Sequence, residues 1–206
     1  MNPDGAAGRT AVEIAAYLAG GQEDSSRVTL NAITADDRDE FVELTRASKD
    51  LHHPWMTLPS TPAEFRTYLH RFDHVNAQGL LIRVRETGAA AGVVNINSII
   101  RGRMQGGSLG YAAFAPNAGH GYMTEGLGMV VRYAFHQLRL HRLEAQIQPD
   151  NQASLALVRR LGFHYEGLSP NLLFIDGAWR DHQRWSITTT MLAPGPWPTH
   201  PTLPAR

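Results

Sequence analysis

Asn117-Ala-Gly-His-Gly-Tyr-Met-Thr-Glu125 is the stretch on which the reading of this chain turns. It follows an apolar run ending near Phe114. It precedes a segment, Thr124 to Leu138, in which Leu127, Val130, Val131, Ala134, Phe135 and Leu138 recur near the helical period. Gly126 and Gly128 weaken that helix without breaking it. Gly119 and Gly121 let the backbone come close to a ligand, and the start of the helix offers unpaired amides and the positive end of a dipole. A strand, a glycine loop and a helix in this order make a turn suited to phosphate. A dinucleotide fingerprint needs a third glycine where Thr124 stands, so a nicotinamide fold is disfavoured. Taken alone, the loop is weak evidence, and a plain strand-to-helix turn is its better reading.

Working outward, Arg27 to Ile33 reads as a first strand, and Asp36 precedes a helical pattern with Phe41, Leu44 and Ala47 on one side. A second helix starts after Thr61, with Pro62 in its first turn and Phe65, Tyr68, Leu69 and Phe72 at helical spacing. Strands at Leu80 to Arg85, Ala91 to Ile100 and Ser108 to Phe114 form an antiparallel meander leading into the glycine loop. Beyond the central helix, the pattern predicts a strand over 143–147, a helix over 152–161, and strands over 163–167, 172–175 and 179–190. Asp176-Gly177 is the hairpin turn between the last two. The chain divides into an extension over residues 1–26, one mixed domain over 27–192, and a tail over 193–206. In that tail Pro194, Pro196, Pro198, Pro201 and Pro204 remove backbone donors.

Composition narrows the chemistry. The 206 residues contain no cysteine, which removes thiolate metal sites and a cysteine nucleophile. Lys49, the single lysine, follows Ser48, so the lysine-bearing phosphate loop of ATP-hydrolysing enzymes is excluded. Formal net charge is zero, yet residues 1–50 hold ten carboxylates against five cations and residues 51–206 hold nine against fourteen. An anionic ligand for the larger part is one consequence; a solvated acidic helix start over Asp36 to Glu43 is the other reading of the same asymmetry. The longest near-apolar stretches fall short of the roughly 18 residues of a membrane span, and the start of the chain lacks a basic-then-apolar leader, so a cytoplasmic address is expected.

A strand, a glycine loop, a helix, a strand at Arg142 to Gln148, then Asn151-Gln-Ala-Ser154 and Arg160-Leu-Gly-Phe163, resembles the GNAT acetyltransferase superfamily from Arg27 to about Thr190. Within it, the chain is most similar to the ribosomal-protein alanine N-acetyltransferases, the branch acting on small-subunit protein S5. That likeness is carried by Gly92 to Gly102, Leu109-Gly-Tyr111, Gly119-His-Gly121, Leu140-His-Arg142, Leu161-Gly-Phe163, Glu166-Gly167 and Ile175-Asp-Gly-Ala-Trp-Arg-Asp-His182. The resemblance implies an α+β fold, in which a central, mostly antiparallel twisted sheet of about seven strands is splayed at the cofactor site and flanked by helices. It implies acetyl transfer from acetyl-coenzyme A to the amino-terminal alanine of a protein such as S5, with no metal. The partner is a protein or peptide with a free amino terminus, not nucleic acid or membrane. Acylation of a small amine, use of a longer acyl donor, and a catalytically weak acyl-coenzyme A-binding module on the ribosome are the alternatives.

For the site, the resemblance implies that backbone groups of Phe114 and Ala115 hold the pantetheine arm, with an amide near Ala115 facing the developing oxyanion. Gly119, His120, Gly121, Tyr122, Met123 and Thr124 hold the pyrophosphate, and Asn151 and Ser154 lie near the arm and the departing sulfur. The family usually has Gln or Arg at Ala118, a small residue at Met123 and a tyrosine acid at Val158, so Ser154 becomes the candidate proton donor to the thiolate. Asn151 and Ser154 also fit a plain helix cap. A neighbouring branch has a carboxylate where Leu173 stands. Glu166, Tyr111, His53 and His120 are then the candidate bases, with Glu166 foremost, and a water chain is the alternative. His53 and Trp55, in the segment His52-His-Pro-Trp55, together with Tyr111, are expected to line the acceptor groove.

Overall fold

The computed structural model describes residues 26–192, so the expected extension and proline-rich tail lie outside the described residues. Seven strands form one sheet in the order β1-β2-β3-β4-β5-β7-β6. They are β1 (Val28–Ala32), β2 (Gln78–Val84), β3 (Ala90–Ile100), β4 (Gly106–Ala113), β5 (Arg142–Ile147), β6 (His164–Ile175) and β7 (Ala178–Thr188). The helices are α1 (Arg38–Ala47), α2 (Lys49–His52), α3 (Pro62–Leu69), α4 (Tyr122–His136) and α5 (Gln152–Arg160). Every neighbouring pair is antiparallel except β4 and β5, which run parallel.

Period-two alternation divides the strands between two cores. Leu80 and Ile82 of β2 and Val94 and Ile96 of β3 face a cluster with Leu127, Val130 and Phe135 of α4 and Leu155 and Val158 of α5. Leu81 and Val93 face the other way, onto Phe41 of α1 and Phe65 and Tyr68 of α3. The helices are thus packed on both faces of the sheet, each by the apolar stripe that its sequence shows. The start of α3 is fixed by a capping box, in which Thr61 Oγ1 accepts from the Glu64 amide and Glu64 Oε2 accepts from the Thr61 amide.

Three features differ from the sequence expectation. The α4 helix begins at Tyr122 rather than Thr124, because Gly121, at φ 82°, already turns the chain into the helix. A short helix, α2, occupies part of the segment read as a connection. The two strands expected over 163–167 and 172–175 are one twelve-residue strand, β6, whose pairing with β7 shifts register at Tyr165/Gly167 and at Ser169/Leu173.

Candidate active site

The pairing of β4 with β5 runs only from Gly106↔Arg142 to Leu109↔Ala145, although both strands continue beyond it. Past Leu109 the strands part. The Phe114 amide donates to Ala91 O on β3 at 2.8 Å, so the alternation of an antiparallel ladder turns the N–H and C=O groups of Tyr111 and Ala113 to the opposite edge, into the gap. One of these is taken: His52 Nε2 donates to Ala113 O at 2.8 Å, which fixes the imidazole tautomer because a carbonyl only accepts. Burial, outweighing the bond to Ala113, lowers the pKa of His52 and so favours the uncharged ring.

A cavity of about 390 Å³ opens at this gap. Its one end is the turn Ala118–Thr124 at the start of α4, where Gly119 and Gly121 sit at φ 83° and 82° and leave the first amides of the helix without intrahelical partners. An added side chain at Gly119 would meet open space, so it is the backbone conformation that demands glycine there. The other end is apolar, walled by Leu51 and His52 of α2 and by Trp55 and Met56. Asn151 and Ser154 at the start of α5 close the middle. This form, an amide cradle joined to a strand gap and an apolar mouth, fits a long ligand with a phosphate at one end and an uncharged arm. Among the described residues that line it, Arg160 alone carries a full charge, and none is a carboxylate.

Of the residues expected to hold the cofactor, Gly119, Gly121, Tyr122, Met123, Thr124, Asn151 and Ser154 all line the cavity. Asn151 Oδ1 accepts from the Ser154 amide at 3.1 Å, a helix cap that leaves the Asn151 Nδ2 hydrogens for a ligand. His120 lies outside the lining, exposed and stacked on Tyr122 with ring centroids 5.6 Å apart. Phe114 and Ala115 need correction. The Phe114 side chain is fully buried against Phe41, its amide belongs to β3, and the Ala115 amide donates to Ser48 Oγ at 2.8 Å, so neither amide is free for an arm or an oxyanion. The gap-facing backbone is that of Tyr111 and Ala113.

Met123, unusual for its size, has a place to go. A side chain at Gly92 would collide with the Met123 sulfur and lie 2.6 Å from Ala112 O, so the bare backbone of β3 makes room for the thioether. Arg160 went unread in the sequence: from the last turn of α5 its guanidinium donates to Thr124 Oγ1 at 3.2 Å, placing a cation at the cradle that Ala118 does not supply. The sequence shows it only as the first residue of the motif Arg160-Leu-Gly-Phe163, about 240° around the helix from Ser154.

The catalytic and acceptor candidates separate clearly. Trp55, Tyr111 and Ser154 line the cavity. The Tyr111 hydroxyl is buried beside the Ser154 hydroxyl, and burial, which outweighs the Ser154 contact, pushes its pKa up. Glu166 does not reach the cavity. Its carboxylate accepts from Arg142 and from Ser186 Oγ, and Arg142 foremost holds its pKa down at about 2, which makes it an ion-pair partner and no base. His53 points to the hairpin turn instead, its Nε2 3.4 Å from Asp176 Oδ2 with both side chains more than half exposed.

The match to known proteins agrees with this geometry. Residues 27–164 match the family model described as an acetyltransferase (GNAT) domain. A probable N-acetyltransferase of Bacillus subtilis, YjcK, is 32% identical over 155 residues, covering 75% of this chain and 84% of the relative. The [ribosomal protein uS5]-alanine N-acetyltransferase of Escherichia coli is 38% identical over 104 residues, half of this chain and 54% of that protein, so this chain spans about half the length of that relative. Among solved structures, Mycobacterium smegmatis RimJ in complex with CoA-disulfide superposes with a TM-score of 0.74 at 26% identity, over 80% of this chain and 83% of the other. Since the matched stretch contains the parted strands and the glycine cradle, the chain belongs to the GNAT acetyltransferase family, with acetyl-coenzyme A as its co-substrate.

Proposed function

We propose that this protein acetylates the free α-amino group of a protein, with the amino-terminal alanine of a ribosomal protein such as S5 as the acceptor and the cytoplasm as its place of work. The observation that carries this is the absence of any carboxylate among the described residues that line the cavity, with burial lowering the pKa of His52. Attack on a thioester needs an unprotonated amine. At pH 7.5 roughly a third of α-amines are neutral but only about one lysine in a thousand, so a site without a charged base suits the α-amine. A polycationic amine would also find no anion here. The small apolar mouth of Leu51, Trp55 and Met56 matches an alanine side chain, and the E. coli relative carries that substrate in its name.

In this reading the amides of the cradle, with Arg160, hold the phosphates, and the gap-facing backbone of Tyr111 and Ala113 holds the arm. The Ser154 hydroxyl donates to the departing sulfur, with the Tyr111 hydroxyl behind it donating to Ser154. Because a thiol of pKa about 8.5 leaves readily, this donation is worth little more than one hydrogen bond. The test is mass spectrometry of peptides incubated with the protein and acetyl-coenzyme A. A peptide beginning with alanine and containing an internal lysine gains one acetyl group at its amino terminus; the same peptide blocked at that terminus gains none. Acetylation of the lysine, or of polyamines but no peptide, overturns the proposal.

A further inference from the structure

The end of the sheet opposite the cavity carries a different electrostatic character. Three loops meet there: residues 70–77 before β2, 101–105 between β3 and β4, and 137–141 before β5. They are knitted into one surface, because the Ile99 amide donates to Asn76 O at 2.8 Å, the Arg101 guanidinium donates to Leu138 O, and the His141 amide donates to Gln105 O at 2.6 Å. Arg71, Arg101, Arg103 and Arg139 are all exposed on these loops, and none forms an ion pair with a carboxylate among the described residues. Arg71 stacks over Tyr68 and Arg101 caps the end of α4, both with neutral partners. The loops hold one carboxylate, Asp73, and it is saturated by the amides of Val75, Asn76 and Ala77. The carboxylate-paired arginines lie outside these loops: Arg27 with Glu125, Arg83 with Asp37 and Glu40, Arg142 with Glu144 and Glu166.

We propose that this end of the sheet binds the phosphate backbone of RNA, through Arg71, Arg101, Arg103 and Arg139. The loops cap the neighbouring strands β2 to β5, whose spacing of about 4.8 Å spreads the four guanidiniums over roughly 15 Å, the reach of a few consecutive phosphates. Phe72 is buried, and the exposed rings of His70 and His141 would stack on any base alike, so recognition rests on the phosphates and is independent of sequence. The coenzyme phosphates do not compete, since the length of β4, about 25 Å, separates the two ends. The choice of RNA among polyanions rests on the reading that the acceptor is ribosomal; the unmatched charge does not.

The test is fluorescence anisotropy of a labelled RNA hairpin with the full chain, without acetyl-coenzyme A. Four contacts give a log–log salt slope of about −3, so binding weakens roughly 20-fold between about 50 and 150 mM salt. In the double variant Arg103→Glu, Arg139→Glu, two exposed side chains change; affinity falls at least about tenfold and the slope drops to near half. Unchanged thermal unfolding and unchanged acetylation of a short peptide accompany this, so loss of RNA binding is distinguishable from failure of the acetyltransferase reading. The proposal is overturned if the double variant binds RNA as the parent does, if acetyl-coenzyme A displaces the RNA, or if anionic vesicles bind this end more tightly than RNA, the outcome that exposed Val75, Ile100 and Met104 would favour.

Discussion

Two glycines of α4, two positions apart, respond to the same substitution in opposite directions. At Gly126 an added Cβ would lie 2.5 and 2.7 Å from Ile82 Cγ1 and Cγ2, with Cδ1 also in collision, below any separation that real side chains adopt. Ile82 is fully buried and β-branched, so it has no free rotamer to swing into. Gly126→Ala therefore sets about 1 kcal/mol of helix propensity against an overpacking cost centred on about 2 kcal/mol, a net loss of about 1 kcal/mol. At Gly128, about 200° around the helix, the new methyl would meet Leu161 Cδ2 at 3.6 Å, an ordinary contact, and the propensity gain of up to about 1 kcal/mol stands alone. Urea unfolding, read at constant slope, separates the variants by about 2 kcal/mol. In the Gly126→Ala background, Ile82→Ala costs less than its usual loss of about 2–5 kcal/mol, because it removes the collision. A Gly126→Ala protein as stable as its parent would refute the close crossing of α4 over β2.

Tyr111→Phe lowers kcat about fivefold, the worth of one hydrogen bond, and leaves the KM for acetyl-coenzyme A unchanged; combined with Ser154→Ala it is no worse than the more damaging single change, and additive losses in a steady-state assay would separate the two hydroxyls. Gly121→Ala forces a left-handed backbone on an L-residue at the cradle, costing about 1–2 kcal/mol, so KM for acetyl-coenzyme A rises about fivefold or more while circular dichroism is unaltered. Glu166, depressed from 4.5 to about 2 in the folded chain, contributes stability that is present above pH 4.5 and lost as pH falls toward 2; Glu166→Gln flattens the unfolding midpoint over that window, and an unchanged acid slope would contradict the pairing with Arg142.

The elements with strong periodicity were legible. The α4 stripe, the capping box at Thr61 and the meander of β2 to β4 follow from residues that speak locally. The parallel step between β4 and β5, by contrast, is a relation between residues more than thirty positions apart; no pattern marks it, and the family likeness implied only a mostly antiparallel sheet splayed at that place. The β6 strand was read as two because its residues are exposed on both sides and Pro170 interrupts them, so no alternation marks its continuity. Within the site, Gly119 and Gly121 were legible in the loop itself, whereas Asn151 and Ser154 entered through the family likeness, their spacing alone reading as a helix cap. The misplacement of Ala115 and Glu166 has a single origin: each is claimed by a partner distant in sequence, Ser48 for one and Arg142 with Ser186 for the other. The α2 helix and the wall it builds escaped for the same reason, since His52 is held by a carbonyl sixty-one positions away.

The four rungs between β4 and β5 have a mechanical consequence. They hinge the sheet at one margin, with strands β1 to β4 as one leaf and β5, β7 and β6 as the other, joined across the far margin by side-chain contacts such as Gln148 Nε2 donating to Trp55 O at 3.3 Å. Acetyl-coenzyme A lying across that margin acts as a splint. Binding then slows hydrogen exchange on both leaves together, and the midpoint of unfolding climbs with its concentration as RT ln(1 + [L]/Kd). A molecule consumed at every turnover is, between turnovers, part of what keeps the two halves in register.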